Sequence, residues 1–101
     1  MVDNAGSAPF DTVDYLSSPE IAAEYLNAAI EDGDERIMLV ALRNVAKAHG
    51  GLKSLSDNSG LAREALYRML SENGNPRLSS LVTLLHALGL EISIRPRDRA
   101  A

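Results

Sequence analysis

The 101-residue sequence contains no cysteine, which excludes disulfides and thiolate metal sites. It has only two histidines, His49 and His86, and neither has a carboxylate pattern typical of a metal site nearby, so we expect no bound metal. A Gly-rich phosphate loop and a paired His/Asp arrangement are also missing. The sequence therefore predicts neither an enzyme nor a cofactor-binding protein.

The sequence also lacks the signals of membrane insertion and export. No apolar run approaches the roughly 18 residues of a membrane span. The first residues, "MVDNAGSAPFDTVDYL", carry no positive charge and no apolar stretch, which argues against a secretory signal peptide. A reducing, cytoplasmic location is therefore expected.

Basic residues are absent from the first 35 positions, which hold nine acidic residues. The rest of the chain has ten basic and five acidic residues, and the net charge is −4. This division suggests two surfaces with two partners, although a solvated acidic face that keeps the protein soluble would have the same composition. With 46% hydrophobic and 24% charged residues, the chain is typical of one globular domain of modest stability.

Hydrophobic spacing and capping residues predict an all-α fold of five helices. Ser18 followed by Pro19 starts the first helix, Gly33 ends it, and Asp34 caps the second. "HGG" ends the second helix, and Ser59-Gly60 forms the turn after the third. The alternation in "LEISIRP" predicts a short strand from residue 90 to 95. The first predicted helix begins at Pro19 and ends near "EDGD", and the second runs from the cap at Asp34 to "HGG". The other three span about 52–58, 62–72 and 78–88.

Three segments follow from this organisation. Residues 1–34 form an acidic N-terminal arm with the first helix. Residues 35–95 form a helix-turn-helix DNA-binding domain with the C-terminal strand. Residues 96–101 form a flexible tail.

The helix predicted from 62 to 72 has an apolar arc and a polar arc opposite to it. Long polar side chains on such a face suit contacts with base edges and phosphates. An ordinary amphipathic helix with a charged surface is the alternative. The residues that precede the 62–72 helix favour DNA binding, because they form a short helix and a turn with Gly60. Leu55, Leu61 and Leu66 are spaced to hold the two helices together. The candidate DNA-binding residues are Lys53, Ser54, Arg63, Glu64, Tyr67, Arg68 and Arg77.

The stretch "LKSLSDNSGLAREALYRMLSENGNPRLSSLVTLLHALGLEI" resembles the Xre/Cro-type helix-turn-helix. More narrowly, the blocks "FDTVDYL", "IAAEYLNAAIEDGD", "ALRNVAKAHGGLKSLS" and "GLAREALYRMLSENGNP" resemble the HigA-like antidote proteins of addiction modules. The resemblance covers about residues 10 to 95. It implies a RelE/ParE-type toxin as partner, which the antidote neutralises, and repression of the shared promoter through operator DNA.

Two positions depart from the helix-turn-helix pattern. Ser56 stands where that pattern usually has Ala, and it is small enough to fit. Ala62 stands where Ser or Thr usually caps the recognition helix, so a cap worth about 1 kcal/mol is missing.

An acidic arm is suited to the small, basic toxins that the resemblance implies. Apolar residues near it can anchor such a partner, or they can pack the first helix onto the domain. The candidate toxin-binding residues are Phe10, Asp11, Asp14, Tyr15 and Leu16.

The predicted strand has no evident partner strand within the chain. Pairing with its two-fold mate would form a homodimer through Leu90, Ile92 and Ile94. Pairing with the segment around residues 11–16, or with the toxin, are the alternatives.

Three functions remain open at this point. The first is an antitoxin that binds both operator DNA and a toxin. The second is a stand-alone repressor, against which the acidic first 35 residues argue. The third is a protein-interaction module without DNA binding, with which Ala62 and the low isoelectric point are compatible.

Overall fold

A computed structural model describes residues 15–98, which contain five α-helices. For these residues the prediction of an all-α fold is confirmed, and the helix boundaries lie close to those expected from the sequence. The main difference is that the fourth helix ends at Met69, short of the predicted end near residue 72. The helices are α1 (Pro19–Asp32), α2 (Glu35–Ala48), α3 (Gly51–Ser59), α4 (Arg63–Met69) and α5 (Leu78–Ala87).

The first two helices begin with side-chain caps, as predicted. The Ser18 hydroxyl accepts a hydrogen bond from the Ile21 backbone N–H at 3.4 Å, and Gly33 ends α1 in the left-handed conformation. The Asp34 carboxylate accepts from the backbone N–H of Arg36 at 2.9 Å. This hydrogen bond lowers the pKa of Asp34, because it stabilises the ionised carboxylate.

One hydrophobic core joins Leu16, which lies three residues before α1, to all five helices. No polar or charged side chain is buried within residues 15–98. The segment expected to form an acidic arm with its first helix therefore shares its apolar face with the helices that follow. The core residues are Leu16, Ala22, Leu26, Ala29, Ala41, Leu42, Val45, Ala46, Leu55, Leu66, Met69, Leu70, Leu84 and Leu88.

The prediction of a C-terminal strand is wrong, because residues 90–98 contain no strand in the structure. The Leu90 backbone N–H donates to the Leu85 carbonyl at 2.8 Å, which caps the C-terminal end of α5. The chain then runs along the surface, where Arg95 pairs with Glu31 of α1 at 3.2 Å. A strand needs a neighbour for its backbone groups, and the described residues offer none. Ile94 is accordingly 92% exposed.

The helices within residues 15–98 are all too short or too polar to span a bilayer.

Candidate nucleic-acid interface

Helices α3 and α4 are joined by a tight turn over residues 60–62. Gly60 ends α3 with φ of 81°, a left-handed conformation that is strained for residues with a side chain. The Leu61 backbone N–H donates to the Ser59 hydroxyl at 3.1 Å. The turn is thus held by local hydrogen bonds, and its glycine was recognisable from the sequence.

Ser56 stabilises this turn through a hydrogen bond of its side chain. Its hydroxyl donates to the Leu61 carbonyl at 2.7 Å, so the side chain joins the last turns of α3 to the chain entering α4. The sequence pattern indicates only that Ser56 is small enough to fit where Ala is usual. The hydrogen bond depends on the turn conformation, which the residue type alone does not indicate.

The inner face of α4 is anchored in the core. Leu66 and Met69 are buried, as are Leu55 of α3 and Leu70 at the end of α4. Leu61 is partly buried and packs against the same cluster. The predicted packing of Leu55, Leu61 and Leu66 between the two helices is therefore confirmed.

The outer face of α4 is polar and open to solvent. Arg63, Glu64, Tyr67 and Arg68 are all exposed, as the helical wheel predicted. Among the described residues, Arg63 and Arg68 form no ion pair, and the possible pair between Glu64 and Arg68 is not formed. Both guanidinium groups therefore remain available to an external anion.

The structure brings Arg77 close to Arg68. Both line one open cavity of about 680 Å³, together with Asn73, Asn75 and Ser80. Arg77 is exposed and, within residues 15–98, makes no ion pair. The two cations and the adjacent amide and hydroxyl groups suit a phosphate backbone better than a neutral ligand.

The remaining DNA-binding candidates lie on α3. Lys53 is well exposed and pairs with Asp57 one turn later at 3.8 Å. An exposed pair of this kind is weak, so the ammonium group can exchange its partner for a phosphate. Ser54 is half-buried beside Gly50, which leaves its hydroxyl less accessible than Lys53.

Neither α3 nor α4 has a side-chain cap at its start. Gly50 precedes α3 and Ala62 precedes α4, and neither accepts a hydrogen bond from the helix through a side chain. The prediction that Ala62 leaves α4 without a cap is confirmed. The first backbone N–H groups of α4 therefore lack the acceptor that Ser or Thr would supply.

The end of α4 is held by contacts that sequence reasoning missed. Arg43 of α2 donates from Nη1 to the Leu70 carbonyl at 2.6 Å, and the Ser71 hydroxyl donates to the Arg68 carbonyl at 2.9 Å. A Cβ atom at Gly74 would meet the carbonyl oxygen of Met69, so only glycine allows this loop to lie against the helix end. Arg43 lies beside the apolar stripe of α2, so its side chain is placed near the helices that pack there. The last carbonyls of a helix need donors, and this need is the signal by which the role of Arg43 could be predicted.

The candidate toxin-binding residues are only partly described. Phe10, Asp11 and Asp14 lie outside the described residues. Tyr15 is exposed, whereas Leu16 is only 1% exposed and belongs to the core. In this conformation Leu16 cannot contact a partner.

Neither histidine takes part in a metal site among the described residues. His49 is half-buried with its Nδ1 3.2 Å from the Val45 carbonyl, and His86 is exposed. Within residues 15–98 no group of His, Asp or Glu side chains is placed to hold a metal ion. Of the proposed dimer residues, Leu90 packs against the core, while Ile92 and Ile94 are exposed.

Comparison with known proteins places the chain in a family. A family model described as "probable addiction module antidote protein" matches residues 6–96. An uncharacterised protein of Haemophilus influenzae is 30% identical over 86 residues, which cover 85% of this chain and 88% of that protein. No solved structure matches the chain significantly.

Proposed function

Because the chain belongs to the family of probable addiction module antidote proteins, we propose that it neutralises a RelE/ParE-type toxin by direct binding and represses its own operon by binding operator DNA. An antidote family implies a toxin partner in general. The protein would act by binding alone in the cytoplasm, without catalysis or a cofactor.

The observation that carries the DNA-binding part is the exposed, unpaired polar face of α4. In this proposal α3 and α4 form a HigA-like helix-turn-helix of the Xre/Cro type. The 7 residues of α4 make it about 10 Å long, and the diameter of an α-helix with its side chains, about 10–12 Å, fits a major groove about 12 Å wide. Arg63 and Glu64 in its first turn would contact base edges, with Tyr67 and Arg68 one turn later.

Lys53, Ser54 and Arg77 would contact phosphates on either side of α4 and fix its orientation on the duplex. A homodimer would present two copies of α4 to successive major grooves about 34 Å apart, so the operator would be palindromic. The cations Lys53, Arg63, Arg68 and Arg77 give four phosphate or base contacts per protomer, or about eight per dimer. If all of them neutralise phosphate, the slope of log K against log salt is near −7.

The toxin-binding part is tested by co-expressing the chain with the small basic protein that this proposal expects from the neighbouring gene, followed by size exclusion with light scattering. A stable complex of defined stoichiometry is the expected result. If the two proteins elute separately while operator binding is intact, the chain is a stand-alone repressor.

The DNA-binding part is tested by titrating a labelled fragment of the upstream region at several salt concentrations. We expect a specific complex with the steep salt dependence given above. A slope near −2 would mean that few cations contact phosphate and would contradict this set of contacts. The absence of any complex with DNA would leave a protein-interaction module without operator binding.

A further inference from the structure

An open groove of about 620 Å³ lies between α1 and α2. Ala29 and Ala41 in its lining are buried, and their small side chains leave the space that forms the groove. Ile37 and Val40 also line it, and each is 44% exposed. The Tyr25 hydroxyl accepts a hydrogen bond from Asn44 at 2.8 Å, which fixes the tyrosine ring beside the groove.

The rim of this groove is acidic. Asp32, Asp34 and Glu72 line it together with one cation, Arg36. Arg36 is already paired with Asp34 at 3.6 Å. Among the described residues Asp32 and Glu72 have no ion pair, so two carboxylates face solvent at the edge of an apolar surface.

We propose that this groove receives a cationic amphipathic helix of the toxin, an inference that rests on the proposed antidote function. Apolar side chains of that helix would contact Ile37 and Val40, and its Lys or Arg side chains would approach Asp32 and Glu72. This combination is the helix-in-groove mode of recognition with complementary charge at the rim.

The charges of the chain itself argue against the other occupants. Residues 1–14 contain Asp3, Asp11 and Asp14 and no Lys or Arg, so the acidic rim repels that segment. The same face of a second copy is acidic as well. The C-terminal segment of a second copy carries Arg95 and Arg97 and is a cationic alternative occupant. The oligomeric state and the toxin affinity of a groove variant distinguish this occupant from the toxin.

The groove contains none of the candidate DNA-binding residues in its lining. Toxin and operator would therefore occupy different surfaces, and one protomer could hold both. Substitutions in the groove should consequently weaken toxin binding and leave operator binding unchanged.

The chain offers a closely matched pair of substitutions for this test. Ile37 and Ile21 are the third residues of α2 and α1, and they are 44% and 40% exposed, but only Ile37 lines the groove. Isothermal titration with the purified adjacent-gene toxin should show that Ile37→Arg weakens binding about tenfold or more. Ile21→Arg should change it less than about twofold.

A second variant tests the rim without changing its shape. Asp32→Asn combined with Glu72→Gln should weaken toxin binding less than Ile37→Arg does and should flatten its salt dependence. Circular dichroism and operator titration of every variant separate loss of the groove from loss of the fold.

Several results would overturn the inference. Wild-type affinity and salt dependence in both groove variants would place the toxin elsewhere, while the antidote function itself would stand. A shift from dimer to monomer in Ile37→Arg with unchanged toxin binding would assign the groove to a second copy. Failure of the wild-type chain to bind the toxin would instead refute the proposed function.

Discussion

Two helix pairs in this molecule, α1–α2 and α3–α4, are built alike and supported differently. In each pair a left-handed glycine ends the first helix, Gly33 in one and Gly60 in the other. The helices of the first pair have 14 residues each and begin at the side-chain caps of Ser18 and Asp34. Those of the second have 9 and 7 residues and no side-chain cap.

The difference shows where each pair obtains its stability. Helices shorter than about 12 residues are marginal in water on their own. The second pair therefore depends on burial of Leu55 and Leu66 and on the hydrogen bond from Arg43 of α2. The exposed polar face of α4 thus lies on the helix pair whose stability depends more on contacts with the rest of the molecule. A long first pair and a dependent second pair should respond differently to substitution.

The largest effect is expected from removing the core anchor of α4. Leu66→Ala should lower the free energy of unfolding by about 2–5 kcal/mol, because it leaves a cavity under the helix. Urea denaturation followed by circular dichroism measures this loss. Leu78→Ala is the control, since Leu78 is 71% exposed and its truncation should cost less than about 1 kcal/mol. Equal losses in the two variants would show that α4 is not held by its core face.

The next effect concerns the outer face of the same helix. Arg63→Ala should weaken specific operator binding by about 1–3 kcal/mol if Arg63 contacts a base, with unchanged stability. Arg77→Ala should weaken binding to all sequences alike and reduce the salt slope by about 2, because the dimer loses one phosphate contact from each protomer. Fluorescence anisotropy with specific and scrambled duplexes distinguishes the two. Arg95→Ala, which removes a cation paired with Glu31, is the control and should leave operator affinity unchanged.

A smaller effect should make the two pairs more alike. Ala62→Ser should raise the free energy of unfolding by about 0.5–1 kcal/mol, because the hydroxyl can accept from a free N–H of α4. Ser18→Ala should lower it by about 1 kcal/mol through the opposite change in α1. Thermal denaturation of both variants measures the shifts. No gain from Ala62→Ser would mean that the backbone at residue 62 holds a hydroxyl away from the helix start.

The smallest effect is the pH dependence of the cap on α2. The pKa of Asp34 is lowered in the folded protein from its usual value of 3.8, so its contribution to stability is present above that pH and is lost as the pH falls through the lowered pKa. Asp34→Asn keeps a capping oxygen that does not titrate. Urea titrations at successive acidic pH values should show a flatter decline for the variant. Identical declines in variant and wild type would exclude a contribution from Asp34.

Local hydrogen bonds made much of this fold predictable from the sequence. Ser18, Gly33 and Asp34 act within a few residues of their own positions, so their types indicate where α1 begins, where it ends and where α2 begins. The polar face of α4 followed from helical periodicity in the same way. The family blocks of the sequence predicted the antidote family, which the match over residues 6–96 confirms.

Tertiary structure alone decided the features that join distant parts of the chain. Arg43 and the Leu70 carbonyl are 27 positions apart, and their hydrogen bond exists only because α2 packs beside the end of α4. The surface course of residues 90–98 depends on whether a second strand lies nearby, which alternation along one segment does not reveal. The groove between α1 and α2 likewise arises from how two helices pack. Most of its lining lies between residues 25 and 41, and Glu72, which is distant in sequence, reaches the same surface only through packing.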